Sequence, residues 1–183
     1  MAAVVKVRKT PNKAKSPGGG SYEVDKWIHV GVPTANLPQT TTKIIFRVHG
    51  GKVAVRLLVG EVTTIIQSSD PVLKITAARL TPSGTADDAL ATVVGTLKDI
   101  ASTVDLSSTE VGAQLYVEGD GTALVKFTAG GGYSAAHVDY WVCPEGEIYV
   151  TTGASKTGQV KWDLWYQPLD EGAWVAQASG TKI

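Results

Sequence analysis

Residues Gly146–Val175, GEIYVTTGASKTGQVKWDLWYQPLDEGAWV, carry the most regular pattern in the chain. Ile148 and Val150 alternate with Tyr149 and Thr151. Further on, Val160, Trp162, Leu164 and Tyr166 alternate with Gln159, Lys161, Asp163, Trp165 and Gln167. A period of two sends successive side chains to opposite faces of a strand, so one row packs on a core and the other faces out. The connection Gly153-Ala154-Ser155-Lys156-Thr157-Gly158 is small and polar, with glycines that tolerate the positive φ of a tight turn. The stretch therefore predicts a long β-hairpin followed by a return strand, at the centre of a β-sandwich. Burial of Ile148, Val150, Trp162 and Leu164 contributes roughly 1.5–3 kcal/mol each. Trp165 is out of place on the polar row. Either another segment of the chain covers it or it is held for a partner.

Outward from this stretch, short patterned runs recur. Trp27-Ile28-His29-Val30 reads as a strand and residues 31–42 as a loop. In Lys43–His49, the row Ile44, Phe46 and Val48 opposes Lys43, Arg47 and His49. Gly50-Gly51 is a hairpin signal. The next run places Val53, Val55, Leu57 and Val59 on one inner row, and a further strand covers Glu61–Gln67 after a bend at Gly60. Val72–Ala78 puts Leu73 and Ile75 inside. Leu90–Val94 and Thr96–Val104 are short apolar runs that fit strands, or a short helix for one of them. Val111–Val117 and Thr122–Thr128 flank the turn Glu118-Gly119-Asp120-Gly121. His137–Cys143 places Val138, Tyr140 and Val142 on one row, with Asp139 and Trp141 on the other. About ten short strands at this spacing, with the strands near Trp27–Gly60 pairing with the C-terminal ones, predict an all-β, jelly-roll-like β-sandwich.

The 17 basic residues balance the 17 acidic ones, but not locally. Lys6, Arg8, Lys9, Lys13 and Lys15 lie in residues 1–20, which contain no acid; removing those five from 17 leaves 12 basic against 17 acidic residues in 21–183. Residues 1–20, with Pro11, Pro17 and Gly18-Gly19-Gly20, thus read as a flexible basic arm on a single acidic domain spanning 21–183. The arm suits a negative partner: nucleic acid, an acidic protein surface or the body of another copy. Its Val4-Val5-Lys6-Val7 segment could add a strand to a neighbouring sheet edge. No apolar run reaches the ~20 residues that span a bilayer. The lone Cys143 excludes an internal disulfide and, between Val142 and Pro144, reads as a buried, unreactive thiol.

Site chemistry is thin. There is no Gly-x-Ser-x-Gly elbow, no Cys-x-x-Cys pair, and His29, His49 and His137 lack ligand spacing. Gly153–Gly158 has Lys and Thr in the wrong order for a phosphate loop. Neither Glu118-Gly119-Asp120-Gly121 nor Asp87-Asp88 supplies the ~6–8 oxygens of a calcium site. No catalytic residue, metal or cofactor is expected. The arm lacks an aromatic platform and the body is acidic, so nucleic acid is an unlikely partner.

The segments GGKVAVRLLVGEVTTIIQ (residues 50–67) and GEIYVTTGASKTGQVKWDLWYQPLDEGAWV resemble head-associated virion proteins of tailed bacteriophages, the capsid decoration or cement proteins. The matching words are Val59-Gly60-Glu61-Val62-Thr63-Thr64, Thr151-Thr152-Gly153-Ala154-Ser155, and Val160-Lys161-Trp162 leading to Pro168-Leu169-Asp170. The resemblance covers about a quarter of the chain. It implies an all-β structural protein on the outside of a phage head, made in the host cytoplasm, trimeric, with the major capsid protein as partner. It carries no catalytic residue across. Tyr149, Trp165 and Trp174 are the expected aromatic anchors of such an interface, and Lys6, Arg8, Lys9, Lys13 and Lys15 its electrostatic tether. A carbohydrate-binding, host-adhesion module of a head fibre or tail is the alternative, with Trp165 and Trp174 stacking on sugars. A glycan hydrolase would need two carboxylates across a cleft, and nothing pairs them.

Overall fold

The computed structural model describes residues 27–39, 41–67, 72–79, 97–123, 125–128, 140–153 and 157–178. The basic arm with Lys6, Arg8, Lys9, Lys13 and Lys15 lies outside them, as do Leu90–Val94, Asp87-Asp88, His137–Asp139, Ala154–Lys156 and the C-terminal Ser179–Ile183. Among the described residues there are eleven strands and no helix: β1 (Ile28–Asn36), β2 (Thr42–His49), β3 (Val53–Thr64), β4 (Val72–Arg79), β5 (Lys98–Asp105), β6 (Gln114–Val117), β7 (Val125–Phe127), β8 (Trp141–Cys143), β9 (Gly146–Thr152), β10 (Gln159–Pro168) and β11 (Trp174–Gln177).

They form two antiparallel sheets. The first runs β1-β10-β3-β6-β7, with β8 also on β3; the second runs β11-β2-β9-β4-β5. The pairs β1 with β10, β2 with β9, β3 with β6 and β4 with β5 are nested one inside the next, each pair on the opposite sheet from the one before. That winding is jelly-roll-like, and the expected β-sandwich is the fold.

The quoted stretch is the largest correction. β9 and β10 are not the arms of a hairpin: β9 pairs with β2 and β4, and β10 with β1 and β3, in different sheets. The two strands face each other across the core. Gly50-Gly51 likewise joins β2 of one sheet to β3 of the other. Period-two patterning and a glycine-rich connection are satisfied equally by a hairpin and by an arch between sheets, because alternation fixes an inward face and not a neighbour. Gly50 shows what the arch demands: φ is +71°, and a Cβ would sit 2.6 Å from the Gly172 carbonyl oxygen. The hairpin expected around Glu118–Gly121 does form, between β6 and β7. β1 extends through the expected loop as far as Asn36, with a bulge between Val32 and Ala35 that accommodates Pro33. β3 is one continuous strand from Val53 to Thr64, not two. Val111 lies in a turn and is exposed, so β6 begins only at Gln114.

The core lies between the sheets. Val160, Trp162, Leu164 and Tyr166 of β10 are all buried, as the alternation predicted, and meet Phe46, Val48, Leu73, Ile75, Ile148 and Val150 from the second sheet. Gly60 lies directly across from Trp162. A Cβ at Gly60 would come within 2.8 Å of the indole, so the largest core side chain uses the space the glycine leaves.

Two bulges reverse the expected rows. The register of β3 against β10 shifts between Val55 and Leu57, so Leu58 and Val62 turn inward with Val53 and Val55, while Leu57 and Val59 turn out. In β2 the extra residue is Ile45, which is buried beside Phe46, and Ile44 is placed across from Tyr149 on the outer face. In β8 it is Trp141 and Cys143 that face in; Tyr140 and Val142 are exposed. Burial pushes the Cys143 thiol up to about 12, which makes it inert near neutral pH.

Candidate protein interface

The outer face of the first sheet is built by cross-strand register. Gly31, Asp163, Val59, Tyr116 and Val125 form one row across β1, β10, β3, β6 and β7. His29, Trp165 and Leu57 form a neighbouring row; Lys161, Glu61, Gln114 and Phe127 form another. Leu57, Val59, Tyr116, Val125, Phe127 and Trp165 thus share one face, and each is half-buried. Tyr116 and Phe127 meet edge to face at 5.1 Å between ring centroids, and the Tyr116 hydroxyl donates to Gln114 Oε1 at 2.6 Å.

At the β1–β10 edge of this face sits a polar cluster. His29 Nε2 lies 2.7 Å from Asp163 Oδ1, and Lys161 Nζ is 2.9 Å from Asp163 Oδ2. The His29 ring also packs on Trp165, 4.7 Å between centroids. Asp163 belongs to the outward row but is only 7% exposed. Its burial is tolerated because both carboxylate oxygens have charged or polar partners. Gly31 leaves room for it, since a Cβ there would lie 2.8 Å from Oδ1. The hydrogen bond to Asp163, then its charge, holds the Lys161 ammonium above its ordinary range. Trp165 is therefore partly covered by a neighbouring strand of its own chain and partly open.

The outer face of the second sheet is different. Arg47 donates through Nε to Glu147 Oε1 at 2.9 Å and through Nη2 to the same oxygen, and the Tyr149 hydroxyl donates to Glu147 Oε2. Glu147 and Tyr149 are 6% and 8% exposed. Tyr149, expected as an interface anchor, is thus a correction. It is a buried residue tied to an internal ion pair. Burial first, and the hydrogen bond to Glu147 second, raise its phenol well above the usual tyrosine value. Period-two reading put it outward correctly but could not see that the outward position is covered.

Trp174 is half exposed, at 50%, on the edge strand β11, and stacks on His49 directly across the β2–β11 pair at 4.5 Å and 21°. Each outward tryptophan therefore faces a histidine across a strand pair, an arrangement that sequence reading missed. The histidines have ordinary strand spacing and only register brings them to the rings. The structure does not bring Trp165 and Trp174 together, since they lie on different sheets.

A cavity of about 480 Å³ opens where β4 ends and β5 begins, lined in part by Arg79, Lys98, Asp99, Asp120 and Trp141. Asp120 accepts hydrogen bonds from the Thr122 hydroxyl and amide, 2.5 and 2.8 Å, which lower its carboxyl below the usual range. Its Oδ1 accepts both bonds and caps the β6–β7 turn. Among the described residues, no three His, Cys, Asp or Glu side chains converge as a metal site.

The fold and face define a jelly-roll-like β-sandwich with one outward sheet face rich in partly buried apolar groups. No family model, no curated protein and no solved structure matches the chain.

Proposed function

We propose that this protein is a structural virion subunit that binds the outside of a phage capsid and cements neighbouring capsomers, working as a homotrimer. The observation that carries this reading is the outer face of the first sheet, where Trp165, Leu57, Val59, Tyr116 and Phe127 lie together and only partly buried beside the His29–Asp163–Lys161 cluster. Aromatic anchors with a polar rim are the make-up of a specific interface, which commonly buries ~1,200–2,000 Å². Support also comes from the resemblance of residues 50–67 and 146–175 to capsid decoration proteins, and from a +5 arm on a −5 body. In this reading Trp165 anchors the face, Trp174 lies outside it, and Lys6, Arg8, Lys9, Lys13 and Lys15 engage an acidic shell surface once assembly begins. The role is structural, not catalytic.

The test is co-sedimentation of the full chain with phage shells lacking it, paired with the heat resistance of those shells. Wild-type protein binds and raises the temperature at which shells rupture. Leu57→Glu, which puts a charge in the middle of the face, abolishes both. Binding undiminished by Leu57→Glu would reject this face as the contact. A glycan-binding reading draws on Trp174, whose ring is half exposed; retention on a glycan array lost in Trp174→Ala would favour it over cementing.

A further inference from the structure

The sheet edges of this sandwich are guarded unequally. An unpaired edge offers a row of N–H and C=O groups to any passing strand, and proteins blunt such edges with proline, bulges, charge or cover. β1 carries Pro33 within a bulge. β5 is covered by the segment following β6, through Ser102 N–H to the Thr122 carbonyl at 2.8 Å, Gly121 N–H to the Ile100 carbonyl at 3.2 Å and a bridge to Ala123. β7 and β8 are three residues each. β11, Trp-Val-Ala-Gln, has none of these devices: no charge, no proline, no bulge, and one strand partner, β2, among the described residues. It also carries the most exposed tryptophan described.

We infer that in the unassembled subunit this edge is occupied by the chain's own arm, with Val5–Arg8 adding as an antiparallel strand outside β11. Three observations select this occupant. The first is the side-chain pattern. Val5 and Val7 share one side of a strand and Lys6 and Arg8 the other. In β11, Val175 faces the core and Trp174 faces out. Placing Val7 opposite Val175 puts both valines at the inner seam, Lys6 opposite Ala176, and Arg8 opposite Trp174, where a guanidinium can lie over an indole. The second is charge. At the Trp174 end, Glu145 accepts from the Gly50 amide, Gly50 touches Gly172, and Asp170 accepts from the Lys52 amide, so Glu145, Asp170 and Glu171 gather there with Lys52 as the nearby cation. An antiparallel arm delivers Arg8 and Lys9 to that end. The third is where the arm leaves the body. Ile28 pairs with Tyr166, just before the turn into β11, and β1 and β11 meet across the seam of the sandwich. The arm thus departs from the end at which the added strand would finish. The gap would be bridged by residues 9–27, and a random-coil chain of that length spans about 25 Å on average. Tethering at this range makes pairing within one chain strongly favoured over pairing between chains.

This deepens the proposed role of the arm by naming where it is held before assembly, and it does not require shell binding. Displacement of the strap would free both the five cations and the Trp174 edge at once.

The experiment uses the full chain. Lys6→Cys with Ala176→Cys, oxidised in dilute solution, should form a disulfide within one chain, located by peptide mass spectrometry; buried Cys143 stays out of the reaction. In the otherwise wild-type chain, Val7→Pro removes an amide the ladder needs and should speed hydrogen exchange at Trp174–Gln177 about tenfold or more, leaving β9 and β10 protected. Failure of the disulfide to form, its formation only between copies, or exchange at β11 indifferent to Val7→Pro would each overturn the strap. A strap that forms in a protein unable to bind shells would retain this inference and discard the cementing role.

Discussion

The two outward faces of the sandwich are opposites. On the second sheet, the outward groups Glu147, Tyr149 and Thr76 are polar and buried, and the acid is closed off by Arg47 and the tyrosine hydroxyl. On the first sheet, the outward groups Leu57, Val59, Tyr116, Phe127 and Trp165 are apolar or aromatic and only partly buried. A sheet face normally places polar groups in water and apolar ones under cover. Here the acid of the polar face is paired within the chain, although the buried Thr76 hydroxyl has no hydrogen-bond partner among the described residues. The apolar face is only partly covered. The second sheet's face therefore serves the stability of the chain, and the first sheet's is the surface on which another molecule would gain contact.

Five substitutions break or sharpen this contrast. The reference point is the core between the faces: Trp162→Ala should cost roughly 3–5 kcal/mol in urea unfolding, because the indole fills space that Gly60 leaves open. A loss no larger than that from Trp165→Ala would undo the facing assignment of β10. On the closed face, Glu147→Ala strands Arg47 and the buried Tyr149 hydroxyl, and should cost about 1–3 kcal/mol by the same measurement. A neutral result would mean that the network is ornamental. On the open face, Trp165→Ala should cost folding no more than about 1 kcal/mol, the scale of its ring contact with His29, while weakening shell binding at least about tenfold. Equal losses in stability and binding would make it a core residue.

The smallest effect appears only at alkaline pH. The Tyr149 phenol is raised in the folded state, so the folded chain keeps a proton that the unfolded chain releases near pH 10. The associated stability is intact below pH 10 and declines as pH rises through the folded value. Tyr149→Phe should flatten that part of the alkaline decline in melting temperature. Lys161 is raised in the same direction by Asp163, and its contribution likewise disappears only at high pH, so Tyr149→Phe leaves a residual slope that Asp163→Asn reduces.

Much of the fold was legible because burial is written with period two. The rows Val160-Trp162-Leu164-Tyr166 and Ile148-Val150 each marked an inner face correctly, as did Leu73 with Ile75. The rows failed at Leu57, Val59 and Ile44, where a single extra residue in a strand reverses every side chain beyond it. Of the candidate site, Trp165 was visible as the tryptophan on a polar row. Its histidine was not, because His29 is 136 positions away and only the β1–β10 register joins them. Tyr149 was misjudged because an outward direction does not reveal whether the outside is covered.

The amino-acid order alone determined the class: all-β, with one greasy and one mixed side to each ribbon, and a cationic segment ahead of an anionic body. Alternation is a local property, set by backbone geometry within a few residues, so it survives in one dimension. Which strands became neighbours was decided only in three dimensions. β9 and β10 follow one another in the chain yet lie in opposite sheets, because two amphipathic ribbons joined by a short connection can bury their apolar sides against each other as well as lie edge to edge. That choice is made by the partners each edge finds, β2 and β4 for one strand, β1 and β3 for the other, and it is what gathers Trp165, Leu57 and Tyr116 onto one open face.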